Sequence, residues 1–150
     1  MDTRYWFLVL LVVLIIVLAF DRLSSGQKQS VWPQTYTLYP IGKVMKEGGR
    51  TFIVLDKKYE PGLMGLERFS HVTVIYWFDR NDNLENRSIL QVHPKENKKN
   101  PLRGVFATHA PVRPNLIGIS RCKIISLKNN TIEIDSIDAF PNSPVLDLKN

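Results

Sequence analysis

From Tyr36 onward, apolar and polar residues change places in short runs broken by Gly, Pro, Asn and Asp, and no long stretch repeats at a helical spacing. This pattern predicts strands joined by turns. Tyr36–Val44 reads as extended, Lys46–Arg50 with Gly48-Gly49 as a hairpin turn, and Thr51–Leu55 as the returning strand. Val72–Phe78 (VTVIYWF) is too uniformly apolar for a surface strand, so it is expected at the centre of a sheet, covered on both sides or facing a partner chain. Ser88–Val92, Ile117–Leu127 and Thr131–Ile137 complete the strand set, with a phase slip at Arg121-Cys122 that predicts a β-bulge. Val105–Ala107 is a further strand-like run, while Asp79–Asn86 and the Lys- and Asn-rich His93–Pro101 read as surface loops. Pro61–Phe69 places Leu63, Leu66 and Phe69 three apart and is the one short helix expected. Six or seven short strands with one helix indicate a mainly β fold, a small barrel or sandwich.

The first residues follow another pattern. Tyr5–Phe20 is sixteen residues without a charge, bounded by Arg4 and by Asp21-Arg22. As a helix it would reach roughly 24 Å against a hydrocarbon core of about 30 Å. Tyr5, Trp6 and snorkelling Arg4 and Arg22 make up the difference. A cleaved secretory signal is the rival reading, but Ala19-Phe20-Asp21 is a poor cleavage site, and an uncleaved single transmembrane anchor over residues 1–22 is favoured. Residues 23–35, rich in Ser, Gly, Gln and Lys, read as a linker, and residues 36–150 as the folded domain.

Twenty Lys and Arg against fourteen Asp and Glu give +6, and the whole excess falls after the first segment. A basic domain favours polyanions, although a charge this modest also suits an ordinary soluble surface. Cys122 is the only cysteine, so no internal disulfide can form. His71, His93 and His109 lie about twenty residues apart with no Cys partner, which argues against a metal site. Neither a glycine-rich dinucleotide turn nor a Walker pattern occurs.

The most informative stretch is Gly104–Ser120, GVFATHAPVRPNLIGIS. Pro111 and Pro114 stiffen it and force Ala110 and Arg113 into extended backbone. Arg113 offers a planar fork suited to a carboxylate or phosphate; a structural corner is the plainer alternative.

This stretch closely resembles the signature of the TsaA-like family, the tRNA methyltransferase TrmO and its relatives. GLERFSHVTVIYWFDRN upstream and DAFPNSPVLDLK downstream match two further family motifs in order. The resemblance spans about Tyr39 to Lys149 and implies a small β-barrel of about six to seven strands that dimerises and binds S-adenosylmethionine without a doubly wound sheet. It implies a methyltransferase acting on N6 of threonylcarbamoyladenosine beside the anticodon in tRNA. The alternative is a non-catalytic cofactor-binding or interaction module. Carried over by motif, the cofactor pocket draws on Asp79, Arg80, His93, Arg103, Phe106, Arg113, Asn115, Pro141, Asn142 and Ser143. Arg103 or Arg113 would clamp the methionine carboxylate, Phe106, Tyr76 or Trp77 would contact adenine, and Asp138, Asp147 or His109 is available to take a proton, with no catalytic residue assigned. Departures from the family pattern are His109 for Arg, Leu116 for Pro, Asn142 for Gly and a shortened Lys43–Glu60 segment. The anchor is foreign to the family plan, and together the readings give a single-pass membrane protein with its domain facing the cytoplasm.

Overall fold

The computed structural model describes residues 35–150. The expected anchor and nearly all of the linker lie outside them. Among the described residues no helix is long and apolar enough to cross a membrane.

Leu38–Asn150 is a compact unit built on a closed antiparallel barrel. Its strands are β1 (Gly42–Glu47), β2 (Arg50–Leu55), β3 (His71–Trp77), β6 (Ile117–Lys128), β7 (Thr131–Ile134) and β8 (Pro144–Lys149), closed in the order β1-β2-β7-β6-β3-β8. A separate ribbon joins β4 (Gln91–Val92) to β5 (Arg103–Gly104). Closure leaves the barrel without a free edge.

Local chemistry explains most of the turns. Gly48 and Gly49 take φ of 56° and 75°, as a two-residue hairpin requires, and pair Glu47 with Arg50. Asn129, at φ 54°, does similar work between β6 and β7. Inside the barrel, Val44, Ile53, Val72, Val74, Ile132 and Val145 are almost wholly excluded from solvent. Each contributes about 1.5–3 kcal/mol of hydrophobic stabilisation. Like every strand of the closed barrel, β3 is hydrogen-bonded on both edges, to β6 and β8; the cover expected on both faces is replaced by alternating burial, with Val72, Val74 and Tyr76 inward.

Several expectations need correction. The extended run expected from Tyr36 becomes a strand only at Gly42. The region expected to form a helix at Pro61–Phe69 instead holds two 3₁₀ segments, Lys57–Leu63 and Leu66–Arg68, because Gly65 at φ 90° breaks the winding between them. The one α-helix of the described residues, α1 (Leu84–Ser88), lies where a polar loop was expected. Its start is set by Asn83, whose side-chain oxygen accepts the Asn86 amide at 2.8 Å. The strand expected over Ser88–Val92 shrinks to β4. Val105–Ala107 is a 3₁₀ turn, burying Val105 and turning Phe106 outward.

The bulge in β6 falls between Ile124 and Ser126 rather than at Arg121-Cys122. Gly118 and Cys122 both face inward, so the alternation runs unbroken through Arg121-Cys122, and Ile119 is exposed. The reason is space. A Cβ on Gly118 would lie 2.5 Å from the Tyr76 ring, so the aromatic fills the volume that a side chain on β6 would otherwise occupy.

Candidate functional site

A cleft of about 640 Å³ opens where β3 ends, β6 begins, and the 106–113 and 138–143 loops meet. The β3 strand runs into a 3₁₀ turn, Asp79–Asn81, tied to the start of β6 by the Phe78 amide donating to the Leu116 carbonyl at 2.8 Å. Buried Ser143 donates its hydroxyl to Asp79 Oδ1 at 3.0 Å, fixing the carboxylate in the wall. Ser143 is held there by Asn142, whose φ of 69° turns the chain and whose amide bonds to the Val44 carbonyl. Beside them the Arg80 guanidinium lies 4.1 Å from the centre of the Phe140 ring.

The opposite wall is organised by Arg113. Its Nε donates to the Ala110 carbonyl at 3.0 Å, and Nη2 to the carbonyls of Val105 and Thr108 at 2.7 Å each. The guanidinium therefore acts first as an internal clamp on its own loop. This corrects the expectation of a free carboxylate fork: only Nη1 is without a hydrogen-bond partner among the described residues. The loop's far end is braced by Arg87 on α1, which donates to the Pro114 carbonyl at 3.1 Å and to Asp82 at 2.9 Å. Arg87 also packs over Trp77, whose indole donates to Asp82. Within this frame Phe106, 83% exposed, projects at the cleft rim.

Five of the ten expected cofactor residues line the cleft: Asp79, Arg80, Phe106, Arg113 and Ser143. Tyr76, His109 and Asp138 line it too. The other five do not. His93 makes a 2.7 Å contact from Nδ1 to the Asn100 carbonyl and closes the β4–β5 loop, and Arg103 is exposed on β5. Asn115 accepts the Ile117 amide through its carbonyl, and Pro141 and Asn142 form the turn that presents Ser143. Trp77 supports the wall from behind, and Asp147 lies in a different groove, of about 560 Å³, 3.5 Å from Lys149.

Sequence reasoning missed Phe140, Phe78 and Gly118, all of which line the cleft. A glycine inside an apolar strand is a signal of close approach and could have pointed to Gly118. Tyr76 is nearly fully buried with its hydroxyl 3.5 Å from Ser120 Oγ. Burial pushes the phenol above its ordinary value, and the Asp138 carboxylate adds to the rise while the Ser120 contact opposes it. It therefore stays protonated and neutral at physiological pH.

Aromatic faces, two carboxylates and one ring-held cation make a cleft suited to a flat heterocycle joined to a charged, flexible group. Residues 27–150 match the model of the tRNA-methyltransferase O N-terminal domain family. A probable S-adenosyl-L-methionine-binding protein of Methanocaldococcus jannaschii is 43% identical over 114 residues, 76% of this chain and 90% of that protein. The human tRNA (adenine(37)-N6)-methyltransferase is 38% identical over 90 residues, and the match covers 60% of this chain but 20% of the human enzyme. A crystal structure of TrmO from Pseudomonas aeruginosa superposes with a TM-score of 0.58 at 26% identity, covering 77% of this chain and 55% of that one. With the barrel, the ordered motifs and a match across most of its length all in agreement, this chain belongs to the tRNA-methyltransferase O N-terminal domain family.

Proposed function

We propose that the cleft between the Arg113 loop and the Phe140–Ser143 turn binds S-adenosylmethionine, and that the protein methylates N6 of the adenine next to the anticodon in tRNA, on a threonylcarbamoyl-bearing nucleoside. The observation that carries this reading is the cleft's lining: Phe106 and Phe140 offer faces for an adenine ring, Asp79 and Asp138 offer negative charge to a sulfonium or ammonium, and Arg80 offers a guanidinium to a carboxylate. The names borne by the archaeal and human relatives point the same way.

When bound, the cofactor supplies a methyl group already activated on sulfur, so transfer to an amine breaks a C–S bond, forms a C–N bond and leaves one proton to be removed. The chain's own task is orientation and exclusion of water. Ser143 holds Asp79 in one rotamer, Arg113 sets the loop that carries Phe106, and Asp138 and His109 are the cleft groups positioned to take the proton from the amine.

The same reading extends to the whole protein. Tyr5–Phe20 tethers it to a membrane with the domain in the cytoplasm, where cofactor and tRNA are found, and the protein acts as a homodimer. Support for pairing comes from Ile75 of β3 and the opposing Ile119 of β6, the latter 53% exposed at the margin of the cleft.

Calorimetric titration of the full chain with S-adenosylmethionine tests the core of the proposal. Saturable heat is expected, reduced at least tenfold in affinity by Asp79→Ala. No heat at millimolar cofactor would end it. Comparison of tRNA nucleosides by mass spectrometry, with and without the gene, then separates enzyme from binding module: a methylated nucleoside must disappear if the protein is the enzyme.

A further inference from the structure

Between β4 and β5 the chain makes a detour, His93–Leu102, whose cations have no assigned work. Lys95, Lys98 and Lys99, with Arg103 on β5, are exposed, and Glu96 is the only carboxylate in the stretch. Among the described residues none of the four cations forms an ion pair, whereas Arg50, Lys57, Arg87 and Lys149 each meet a carboxylate.

The detour is nevertheless an ordered object. His93 Nδ1 meets the Asn100 carbonyl at 2.7 Å, Asn100 donates its side-chain amide to the Pro94 carbonyl at 2.7 Å, and Asn97 accepts the Lys99 amide at 3.0 Å. Lys95 and Glu96 are held at φ of 59° and 55°, a conformation that side-chain-bearing residues rarely adopt unless their surroundings impose it. The clasp is built from groups that point into the loop, and it leaves the lysines outside.

The detour also leads, through β5, into the segment that carries Phe106. The Val105 amide bonds to the Leu90 carbonyl at 2.9 Å, closing the ribbon's base, and only two residues separate Arg103 from Phe106 on the rim. Extended chain spans at most about 3.6 Å per residue, so the Arg103 Cα lies within about 11 Å of the Phe106 Cα.

We propose that this clasped basic arm binds the phosphate backbone of the RNA substrate and so places one unstacked base beside Phe106 at the cleft. The inference rests on the reading of tRNA as substrate. Phosphate contacts from Lys and Arg fix position without reading sequence, and exposed aromatics stack bases that have left a loop; the arm and Phe106 supply both parts side by side.

The test measures affinity of the full chain for a synthetic anticodon stem-loop RNA from roughly 50 to 200 mM salt, where each lost phosphate contact on single-stranded RNA lowers the log–log slope by about 0.7. Lys95→Gln/Lys98→Gln/Lys99→Gln should weaken RNA binding at least tenfold at the low end of that range and reduce the slope by about 2. S-adenosylmethionine affinity should not change, which also reports that the fold is intact. A control, Lys43→Gln/Lys123→Gln/Lys128→Gln, removes the same charge from the barrel and should cost less. An unchanged slope in the arm variant, or an equal loss in the control, overturns this inference and leaves the tRNA reading standing. A wild-type protein that binds cofactor but no RNA overturns both. Retained RNA binding with lost affinity for phosphatidylserine vesicles would reassign the arm to a membrane surface.

Discussion

Arg113 shows how one side chain can carry a loop. Three carbonyls, those of Val105, Thr108 and Ala110, converge on two of its nitrogens, a pattern that only a planar, permanently charged fork can satisfy. Arg113→Ala is expected to cost about 2 kcal/mol or more in urea unfolding, since hydrogen bonds to charged groups are the stronger kind and the carbonyls lose their partner. Arg113→Lys should recover less than half of that, because an ammonium cannot reach all three acceptors together. A lysine variant as stable as the wild type would mean the guanidinium's geometry is irrelevant. That Arg113 matters was legible in its place between two prolines. That it faces inward to its own loop was not, because side-chain direction depends on where Val105 and Thr108 come to rest.

Strands and turns are the scale at which the cleft acquires its room. Gly118 on β6 accommodates the Tyr76 ring of β3, and Tyr76 meets Phe78 edge-on at 5.3 Å between ring centres. Gly118→Ala should destabilise by about 1–3 kcal/mol through overpacking and weaken cofactor binding with it. Retention of full affinity and stability would contradict the close approach. On the far side of the barrel, Arg50 of β2 grips Glu133 of β7 through two bonds of 2.7 and 2.6 Å. The Arg50 hydrogen bond is the chief cause holding the Glu133 carboxyl below its ordinary 4.5; partial burial opposes it and Ser126 reinforces it. A depressed carboxyl contributes stability above its unfolded value and loses it as pH falls through the folded one. Glu133→Gln should therefore be less stable than wild type near neutrality, with the gap closing below about pH 4; chemical unfolding across that range checks the sign. Salt should shrink the gap as well, since Arg50 is largely exposed.

Taken whole, the barrel is a closed ring of strands in which β6 pairs with both β3 and β7. Cys122, inward on that strand, is 1% exposed, and its thiol is pushed up to about 11 by burial, with Asp135 adding to the effect. Labelling by a thiol reagent near neutral pH should accordingly be slow and, at reagent concentrations high enough for modification to outpace reclosing, should level off at the unfolding rate. Fast labelling of the native protein would mean that β6 opens locally.

The hydrophobic pattern alone determined a mainly β chain of short strands and the Gly48-Gly49 hairpin, because strand patterning and turn chemistry are local properties. The ordered motifs pointed to the family for the same reason: they are strings of neighbours. Only the tertiary structure decided that Gly118 and not Ile119 faces inward, that His93 closes a loop instead of a cofactor site, and that Phe140 and Arg80 share a wall with Asp79 and Ser143. The His93 contact depends on how its own loop folds back, and the shared wall on barrel closure, which sets Asp79 and Ser143, more than sixty positions apart, within hydrogen-bonding distance; no spacing along the chain encodes either proximity.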